Sequence, residues 1–392
     1  MKKLFAFVVA IAISFASAIT VNAINIENTV AEEYELKSDD LNLDCKSALL
    51  MEGTTGEVIY SQNADQPLPL ASVTKVMTLL LVMEAISEGR VALTDEVLIS
   101  DYASSMGGSQ VFLREGERMT VEELIKCAVI ASANDACVAL AESVAGSEDA
   151  FVERMNERAK ELKMVGANFE NTTGLDDTAA NHVCSANDIA IMSKELIKYD
   201  LITKFSSTWQ DEIRDGEFVL TNTNRLVRYY DGCTGLKTGS TDKAGFCISA
   251  TAKRGDMHLI AVVMGAQTRD ERNAIARNML DYGFANFALF TTQEDEIGRV
   301  NINHGKQNSA AVFTQGICKV INKADKDKVE RTFNIPEEFP VPVDPLENVG
   351  YVDYTVNGKW LCRENAFVKE GVDKIEFFDL YLRLLKYYLV GK

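Results

Sequence analysis

Hydrophobic and polar residues follow different periods along the chain, and these periods predict its elements. Residues 45–63 hold two short apolar runs around a glycine-containing turn, a pattern typical of a β-hairpin. The next segment, ASVTKVMTLLLVMEAISEG, is apolar almost without a break from Val76 to Met83 and ends at Gly89. Because a helix that is apolar on every side must be covered by protein, this segment predicts a buried helix.

Helices and strands then follow in separate blocks. Thr120 and Glu123 have the spacing of a capping box before LIKCAVIA, which predicts a helix there. A further helix is predicted after Asn134, with Gly146 as its stop. Two apolar and β-branched runs, GFCISATAKR and MHLIAVVMGA, predict paired strands, and ERNAIARNMLDYG predicts a helix. This order predicts an α+β domain over residues 40–290.

The chain beyond residue 290 has a different pattern. Short apolar runs such as GRVNI, AAVFT and GYVDYTV alternate with polar turns and predict a small all-β domain over residues 291–372. Residues 373–392 predict a helix with one narrow polar stripe, formed by Glu376, Asp379, Arg383 and Lys386. The helix is too short and too charged to span a bilayer. We expect it to lie in a membrane interface, with docking on the β domain as the alternative.

The first 23 residues have two lysines, an apolar run and small residues at possible cleavage sites, which is the pattern of a secretory signal peptide. Cleavage after Ala23 is favoured over cleavage after Ala18, and an uncleaved membrane anchor is the alternative. Residues 24–39 are acidic and predict a flexible leader. The working protein is therefore expected outside the cytoplasm.

Composition excludes some partners. The formal charge of −18 comes without a basic block, so a nucleic-acid partner is not expected. The chain has eight cysteines, which in an exported protein would ordinarily suggest disulfides. However, Cys127, Cys137 and Cys247 lie in apolar helical or strand runs, where cysteine acts as a small buried residue. Free thiols are therefore predicted.

Three short motifs that carry reactive groups occur in order. They are Ser72-Val-Thr-Lys75, Ser132-Ala-Asn134 and Lys237-Thr238-Gly239. Each motif is a weak signal alone, because the chain also contains a second S-x-x-K at Ser240 and a second Ser-Ala-Asn-Asp at Ser185.

The first motif pairs a hydroxyl with an amine. Ser72 and Lys75 are three residues apart, so a helix places both side chains on one face. A lysine among apolar residues has its charged form disfavoured, which would let Lys75 act as a base toward Ser72. The alternative is a capping serine followed by a lysine that extends to solvent.

The other two motifs add groups that a peptide hydrolase needs. On a turn between two helices, Ser132 can relay a proton and Asn134 can hold a substrate carbonyl or the lysine. The third motif is expected just before a strand. There Lys237 adds positive charge, Thr238 can bind a carboxylate, and Gly239 permits close backbone approach.

The segments ASVTKVMT, SANDACVALAE and DGCTGLKTGSTDKAGFCISATAKR closely resemble the active-site boxes of low-molecular-mass penicillin-binding proteins, the serine-type D-Ala-D-Ala carboxypeptidases. The similarity extends from about Cys45 to Val390. It implies a β-lactamase/transpeptidase-like domain, with an antiparallel sheet and a helical block, followed by a small β-sandwich-like domain and a C-terminal amphipathic helix.

The resemblance also implies residue roles. Ser72 becomes the acylated nucleophile, Lys75 its general base and Ser132 a further catalytic residue. The substrate-binding residues implied are Asn134, Lys237, Thr238, Gly239, Ser240 and Arg272. The backbone N–H groups of Ser72 and Ser240 would form the oxyanion hole. Arg269, close to Arg272, is the alternative carboxylate ligand, and Ser185 is expected to cap a helix.

The implied function is removal of the terminal D-alanine from peptidoglycan stem pentapeptides at the extracytoplasmic face of a bacterial membrane or in the cell wall. β-Lactams are the implied inhibitors, and no metal or organic cofactor is implied.

Three alternatives remain open. A serine β-lactamase would need a deacylating base, for which Glu170 is the nearest candidate. A Ser-His-Asp hydrolase would use His182, His258 or His304, none of which adjoins a nucleophile elbow. A non-catalytic wall-binding relative is the third, although intact Ser72, Lys75 and Lys237 argue against it.

Overall fold

A computed structural model describes residues 32–37, 41–176 and 179–390. The predicted signal peptide and most of the predicted leader lie outside these residues. The helices are α1 Lys75–Ser87, α2 Asp101–Ser104, α3 Val121–Ile130, α4 Asn134–Ala145, α5 Glu148–Glu161, α6 Ala186–Leu196, α7 Asp200–Ser206, α8 Leu226–Tyr229, α9 Arg269–Asn286 and α10 Phe377–Val390. Two 3-10 turns cover Ala71–Thr74 and Lys323–Lys328.

The strands up to the end of the predicted catalytic domain are β1 Ser47–Glu52, β2 Val58–Gln62, β3 Glu96–Leu98, β4 Arg118–Thr120, β5 Gln210–Ile213, β6 Phe218–Thr221, β7 Cys233–Thr241, β8 Gly245–Arg254, β9 Met257–Ala266 and β10 Phe287–Thr291. Those that follow are β11 Asp295–Ile302, β12 Ser309–Thr314, β13 Cys318–Asn322, β14 Val329–Asn334, β15 Glu338–Phe339, β16 Asn348–Val356 and β17 Lys359–Val368. The chain therefore has the α+β content that its sequence predicted.

A five-stranded antiparallel sheet organises the first domain, in the order β2-β1-β9-β8-β7. The strand β9 is buried at every position except the half-buried His258, because layers cover both faces of the sheet. The helix α9 packs on one face, and α1, α6 and the rest of the helical block lie on the other. Among the described strands, β7 pairs only with β8, so its other edge faces the helical block.

The helical block forms where the sequence predicted it. The helix α1 is buried at every position from its first residue to Met83. The helix α3 begins at the predicted capping box of Thr120 and Glu123, and α4 ends at Gly146, whose φ of 86° is the left-handed conformation that glycine adopts readily.

The second domain is built on a six-stranded sheet with the order β14-β16-β17-β12-β11-β15, accompanied by a separate β10–β13 pair. Composition predicted a flexible leader, yet its described part, residues 32–37, lies against this domain. The Tyr34 hydroxyl donates to Asp325 Oδ2 at 3.1 Å and accepts from the backbone N–H of Asn322 at 3.0 Å. Backbone hydrogen bonds between this segment and Trp360, and one from Lys37 to Asn322 Oδ1, add to these contacts and hold the acidic segment in place.

The helix α10 leaves its apolar arc uncovered. Phe377, Leu384 and Tyr388 are 85%, 53% and 87% exposed. On the polar stripe, Arg383 donates to Asn308 Oδ1 at 3.2 Å and to the backbone oxygen of Lys306. Among the described residues, no helix combines the length and hydropathy needed to cross a bilayer. All eight cysteines are free, as predicted.

Candidate active site

The first motif forms a tight turn that leads into α1. Ser72 lies half-buried in the 3-10 turn, and Lys75 is the fully buried first residue of the helix. Their three-residue separation places Lys75 Nζ 2.8 Å from Ser72 Oγ. Residues of the hydrophobic core surround the lysine stem, so the amine cannot extend to solvent and the snorkelling alternative is excluded.

Burial, and not its hydrogen bonds, favours the neutral form of Lys75. Burial lowers the pKa of Lys75 to about 8. The amine also contacts Asn134 Oδ1 at 2.6 Å and the backbone oxygen of Thr173 at 2.9 Å, and both of these atoms only accept hydrogen bonds. Asn134 is fixed in this orientation because its Nδ2 donates to the backbone oxygen of Gly107. A neutral amine with two protons therefore gives both to these acceptors and turns its lone pair to Ser72.

The second motif lies on the predicted turn between α3 and α4. Ser132 has a φ of 62°, a left-handed conformation that is unfavourable for serine. It does not cap α4, whose N-cap is Ala133 without a side-chain hydrogen bond. Instead Ser132 Oγ accepts from Lys237 Nζ at 2.8 Å, so this serine contacts the third motif.

The third motif lies inside strand β7, and not just before a strand as the sequence predicted. Its glycines and threonines resemble a turn, but β7 pairs with β8 from Cys233 to Thr241. Lys237 is buried at the centre of this strand. Burial and then the neighbouring Lys75 hold the pKa of Lys237 well below its usual value.

Gly239 allows β7 to lie directly against the Ser72 turn. A Cβ atom on residue 239 would be 2.8 Å from the backbone nitrogen of Ser72 and 2.9 Å from that of Val73. These atoms belong to the backbone of the turn and cannot rotate away. The missing side chain therefore sets the distance between the strand edge and the serine.

A cavity of about 660 Å³ opens beside Ser72. It is lined by Ser72, Ser109, Ser132, Trp209, Thr221, Asn222, Thr223, Arg225, Tyr229, Thr238, Gly239, Ser240, Arg269 and Arg272. Lys75, Asn134 and Lys237 lie directly behind this lining through their contacts with Ser72 and Ser132. The structure thus brings together every site residue that the sequence predicted.

The floor of the cavity includes a buried cation. Arg272 is only 3% exposed and donates to the backbone oxygen of Cys247 and to Asn273 Oδ1. Burial first, and the charge of Arg269 next, lower the pKa of Arg272 to about 10. Arg269 lines the same cavity, so the two arginines weighed as alternatives are both present there.

Sequence reasoning missed the contact that His182 makes with the 3-10 turn that contains Ser72. The Thr74 hydroxyl donates to the backbone oxygen of Ala71, so it accepts from His182 Nε2 at 2.7 Å. The other ring nitrogen accepts from the backbone N–H of Glu170 at 2.9 Å, which fixes a neutral tautomer. Burial lowers the pKa of His182 to about 4. No local pattern indicates this contact, because His182 lies 108 residues after Thr74.

A family model described as D-alanyl-D-alanine carboxypeptidase matches residues 32–268 of the chain. All three motifs lie within this range. The chain belongs to the D-alanyl-D-alanine carboxypeptidase family. The resemblance inferred from the motifs is thereby confirmed, and with it the prediction of a serine-type carboxypeptidase.

Relatives and solved structures that are similar to this chain support the same family. The D-alanyl-D-alanine carboxypeptidase DacF of Bacillus subtilis is 40% identical over 91% of this chain and 92% of its own. Penicillin-binding protein 5 of Haemophilus influenzae is 30% identical, with a TM-score of 0.78 over 86% of this chain and all of its own. The ampicillin-bound form of penicillin-binding protein D2 of Listeria monocytogenes is 29% identical, with a TM-score of 0.58 over 63% of this chain and all of its own.

The geometry separates the carboxypeptidase from the alternatives. Glu170 is exposed, accepts from the backbone N–H of Asn181 and does not line the cavity, so it is not placed as a deacylating base. His258 contacts Thr234 at 3.0 Å and not a serine of the site. His182 supports Thr74 and does not contact Ser72.

Proposed function

We propose that this protein removes the terminal D-alanine from peptidoglycan stem pentapeptides through an acyl-enzyme on Ser72. The observation that carries this proposal is the 2.8 Å contact between Lys75 Nζ and Ser72 Oγ, made by an amine whose other two partners only accept hydrogen bonds. A base held against a hydroxyl in this way activates a serine for attack on a carbonyl carbon.

In the acylation step, Ser72 Oγ bonds to the carbonyl carbon of the penultimate D-alanine while its proton passes to Lys75. The backbone N–H groups of Ser72 and Ser240 are assigned to the carbonyl oxygen, on which negative charge develops. The peptide C–N bond then breaks, and the leaving amine takes a proton by way of Ser132, which Lys237 contacts. Water hydrolyses the ester and restores Ser72.

The substrate is assigned to the free edge of β7. An extended peptide can pair there as an added strand, because the other edge of β7 is already occupied by β8. Gly239 lets this added strand reach Ser72. Thr238, Ser240 and the buried Arg272 are assigned to the terminal carboxylate of the peptide.

β-Lactams are proposed to acylate the same serine. A relative that shares the fold has a solved structure in its ampicillin-bound form, and the 2.8 Å contact between Lys75 Nζ and Ser72 Oγ supports attack of this serine on a β-lactam carbonyl. An acyl group that resists hydrolysis would block the cavity and inhibit the enzyme.

The protein is proposed to act outside the cytoplasm, at the surface of a bacterial membrane. The exposed apolar arc of α10 supports this placement, because its polar stripe faces the β domain through Arg383 while Phe377 and Leu384 face away. We also propose the domain division predicted from the sequence, with a catalytic domain over 40–290, a β domain over 291–372 and the helix beyond it.

The proposal is tested by measuring D-alanine released from a defined pentapeptide. Wild-type protein should release it, and Ser72→Ala should abolish release. The matched control is Ser185→Ala, in the second Ser-Ala-Asn-Asp segment, which should keep activity because Ser185 only caps α6. A fluorescent penicillin should label wild type and the control but not Ser72→Ala.

The outcomes also distinguish the alternatives. Rapid turnover of penicillin without D-alanine release would indicate a β-lactamase. Absence of both release and labelling in the wild type would indicate a non-catalytic wall-binding protein. Labelling that survives Ser72→Ala would contradict the proposed nucleophile.

A further inference from the structure

The cavity beside Ser72 carries more positive charge than one terminal carboxylate requires. Three of its lining residues are arginines, namely Arg225, Arg269 and Arg272, in a chain whose formal charge is −18. Within the described part of the chain, none of the three forms an ion pair with a carboxylate. Asp270 and Glu271 lie in the first turn of α9, and two carboxylates do not balance three guanidiniums.

Two separate segments bring these arginines together, and the backbone of each is held in place. Arg225 follows Asn224, whose buried side chain donates to the backbone oxygen of Gly235 at 2.8 Å and accepts from the N–H of Leu226 at 3.1 Å. Arg269 begins α9 directly after Thr268, which caps that helix through the N–H of Glu271. The cluster is therefore a product of the fold and not of one flexible loop.

The charges also act on one another. Both Arg269 and Arg225 lower the pKa of Arg272, so the three guanidiniums share one electrostatic neighbourhood. Arg272 is buried, whereas Arg225 and Arg269 are exposed at the rim. An anion bound at the rim would relieve this repulsion, and arginine is well suited to hold a carboxylate with two parallel hydrogen bonds.

The position of Arg225 and Arg269 determines which part of a bound substrate they can contact. Arg225 and Arg269 line the same cavity as Arg272 and act on its pKa, so assigning the terminal carboxylate to Arg272 assigns these two arginines to the neighbourhood of the leaving residue. That residue is D-alanine in the proposed reaction, and its methyl side chain offers nothing to an arginine. A longer leaving residue with an acidic side chain would reach them.

We propose that Arg225 and Arg269 form a subsite for a second carboxylate, borne by the side chain of the leaving residue, and that the enzyme also hydrolyses D-Ala–X bonds in which X is an acidic D-amino acid. This inference rests on the proposed function. The chemistry is unchanged: Ser72 Oγ bonds to the D-Ala carbonyl carbon, the C–N bond breaks, the amine of X leaves with a proton, and water hydrolyses the ester.

The test compares three acyl-D-Ala–X peptides, in which X is D-Ala, D-Glu or D-Gln. D-Gln has the shape of D-Glu without its charge, so the ratio of the two kcat/KM values isolates the carboxylate. Wild type should prefer D-Glu to D-Gln about tenfold, because hydrogen bonds to charged groups are the stronger ones. The ratio should fall toward one in the Arg225→Gln/Arg269→Gln double variant and should decline as ionic strength rises.

The matched control is the Arg299→Gln/Arg331→Gln double variant, which removes two exposed arginines outside the cavity lining and the same two positive charges. It should keep the wild-type ratio of the kcat/KM values for the D-Glu and D-Gln peptides, and the wild-type activity on the D-Ala peptide. A wild-type ratio of one or less, or a ratio that persists in the Arg225→Gln/Arg269→Gln variant, would overturn the subsite. Release of D-Ala without preference for D-Glu would leave the proposed function standing, whereas no release from any peptide would overturn both.

Discussion

At the residue scale, burial lowers the pKa of Lys75 to about 8, and the rate of acylation should follow that ionisation. The protonated amine cannot accept the proton of Ser72, whereas the neutral amine can. The acylation rate with a chromogenic β-lactam should therefore rise with pH through about 8 and level off above it. Stopped-flow measurements across this range test the prediction. Lys75→Arg should remove the rise, and a flat wild-type profile would contradict a lysine base.

His182 provides a second prediction at this scale. Its Nε2–H donates to Thr74, whose own proton goes to the backbone oxygen of Ala71 beside the nucleophile. His182→Ala leaves this buried hydroxyl without a donor, a loss of about 1–3 kcal/mol. The turn should then relax, and we expect acylation to slow about tenfold or more.

His182→Gln is the informative comparison, because its amide can still donate to Thr74. It should recover much of the acylation rate. A merely structural role would lower the melting temperature in both variants while leaving the acylation rate constant of the folded protein unchanged, and that result would refute a positioning role for His182.

Single residues also show what sequence can and cannot reveal. Ser72, Lys75 and Ser132 were found because short motifs with a known chemical purpose contain them. His182 and Thr173 were missed because they act on the first motif from about a hundred residues away, through contacts that only the folded chain creates.

At the element scale, the helices and strands that periodicity predicted are present, but the third motif, expected before a strand, lies inside β7. Its sequence, CTGLKTGST, lacks an apolar run, since one edge of the strand faces the cleft and its buried positions include Lys237, Thr238 and Gly239. The two Ser-Ala-Asn-Asp segments also have different roles in the structure. Ser185 caps α6 with a full capping box, whereas Ser132 caps nothing and contacts Lys237.

The contact between β7 and the Ser72 turn yields a prediction for Gly239→Ala. The added Cβ would lie 2.8 Å from the backbone nitrogen of Ser72, so the strand edge must move away from the nucleophile. We expect penicillin labelling to fall by about a hundredfold, because catalysis is sensitive to displacements of this size. Gly358→Ala places its new atom in open space but strains a backbone with a φ of 77°, so it controls for a destabilising glycine replacement away from the nucleophile and should keep labelling. Unchanged labelling would show that the strand is not held by this contact.

At the scale of the whole molecule, an uncovered amphipathic helix follows the strands of the six-stranded sheet. The acidic surface repels anionic lipids, so binding to a membrane would depend on the apolar arc of α10. Sequence periodicity predicted this helix and favoured a membrane over the β domain as its partner. The exposure of the arc, together with the contacts of Arg383, favours the membrane.

A pair of glutamine variants tests this placement without shortening the chain. Leu385→Gln removes an exposed leucine from the arc, and burial of such a side chain contributes about 1.5–3 kcal/mol, so lipid vesicle binding should fall about tenfold or more. Lys386→Gln changes the adjacent residue on the polar stripe and should leave binding within a few-fold, since a lysine near a lipid surface contributes about 1 kcal/mol. Release of D-alanine from a soluble pentapeptide should be the same in both variants, because neither residue is near the cavity. Equal binding by both variants would instead assign membrane attachment to another part of the chain.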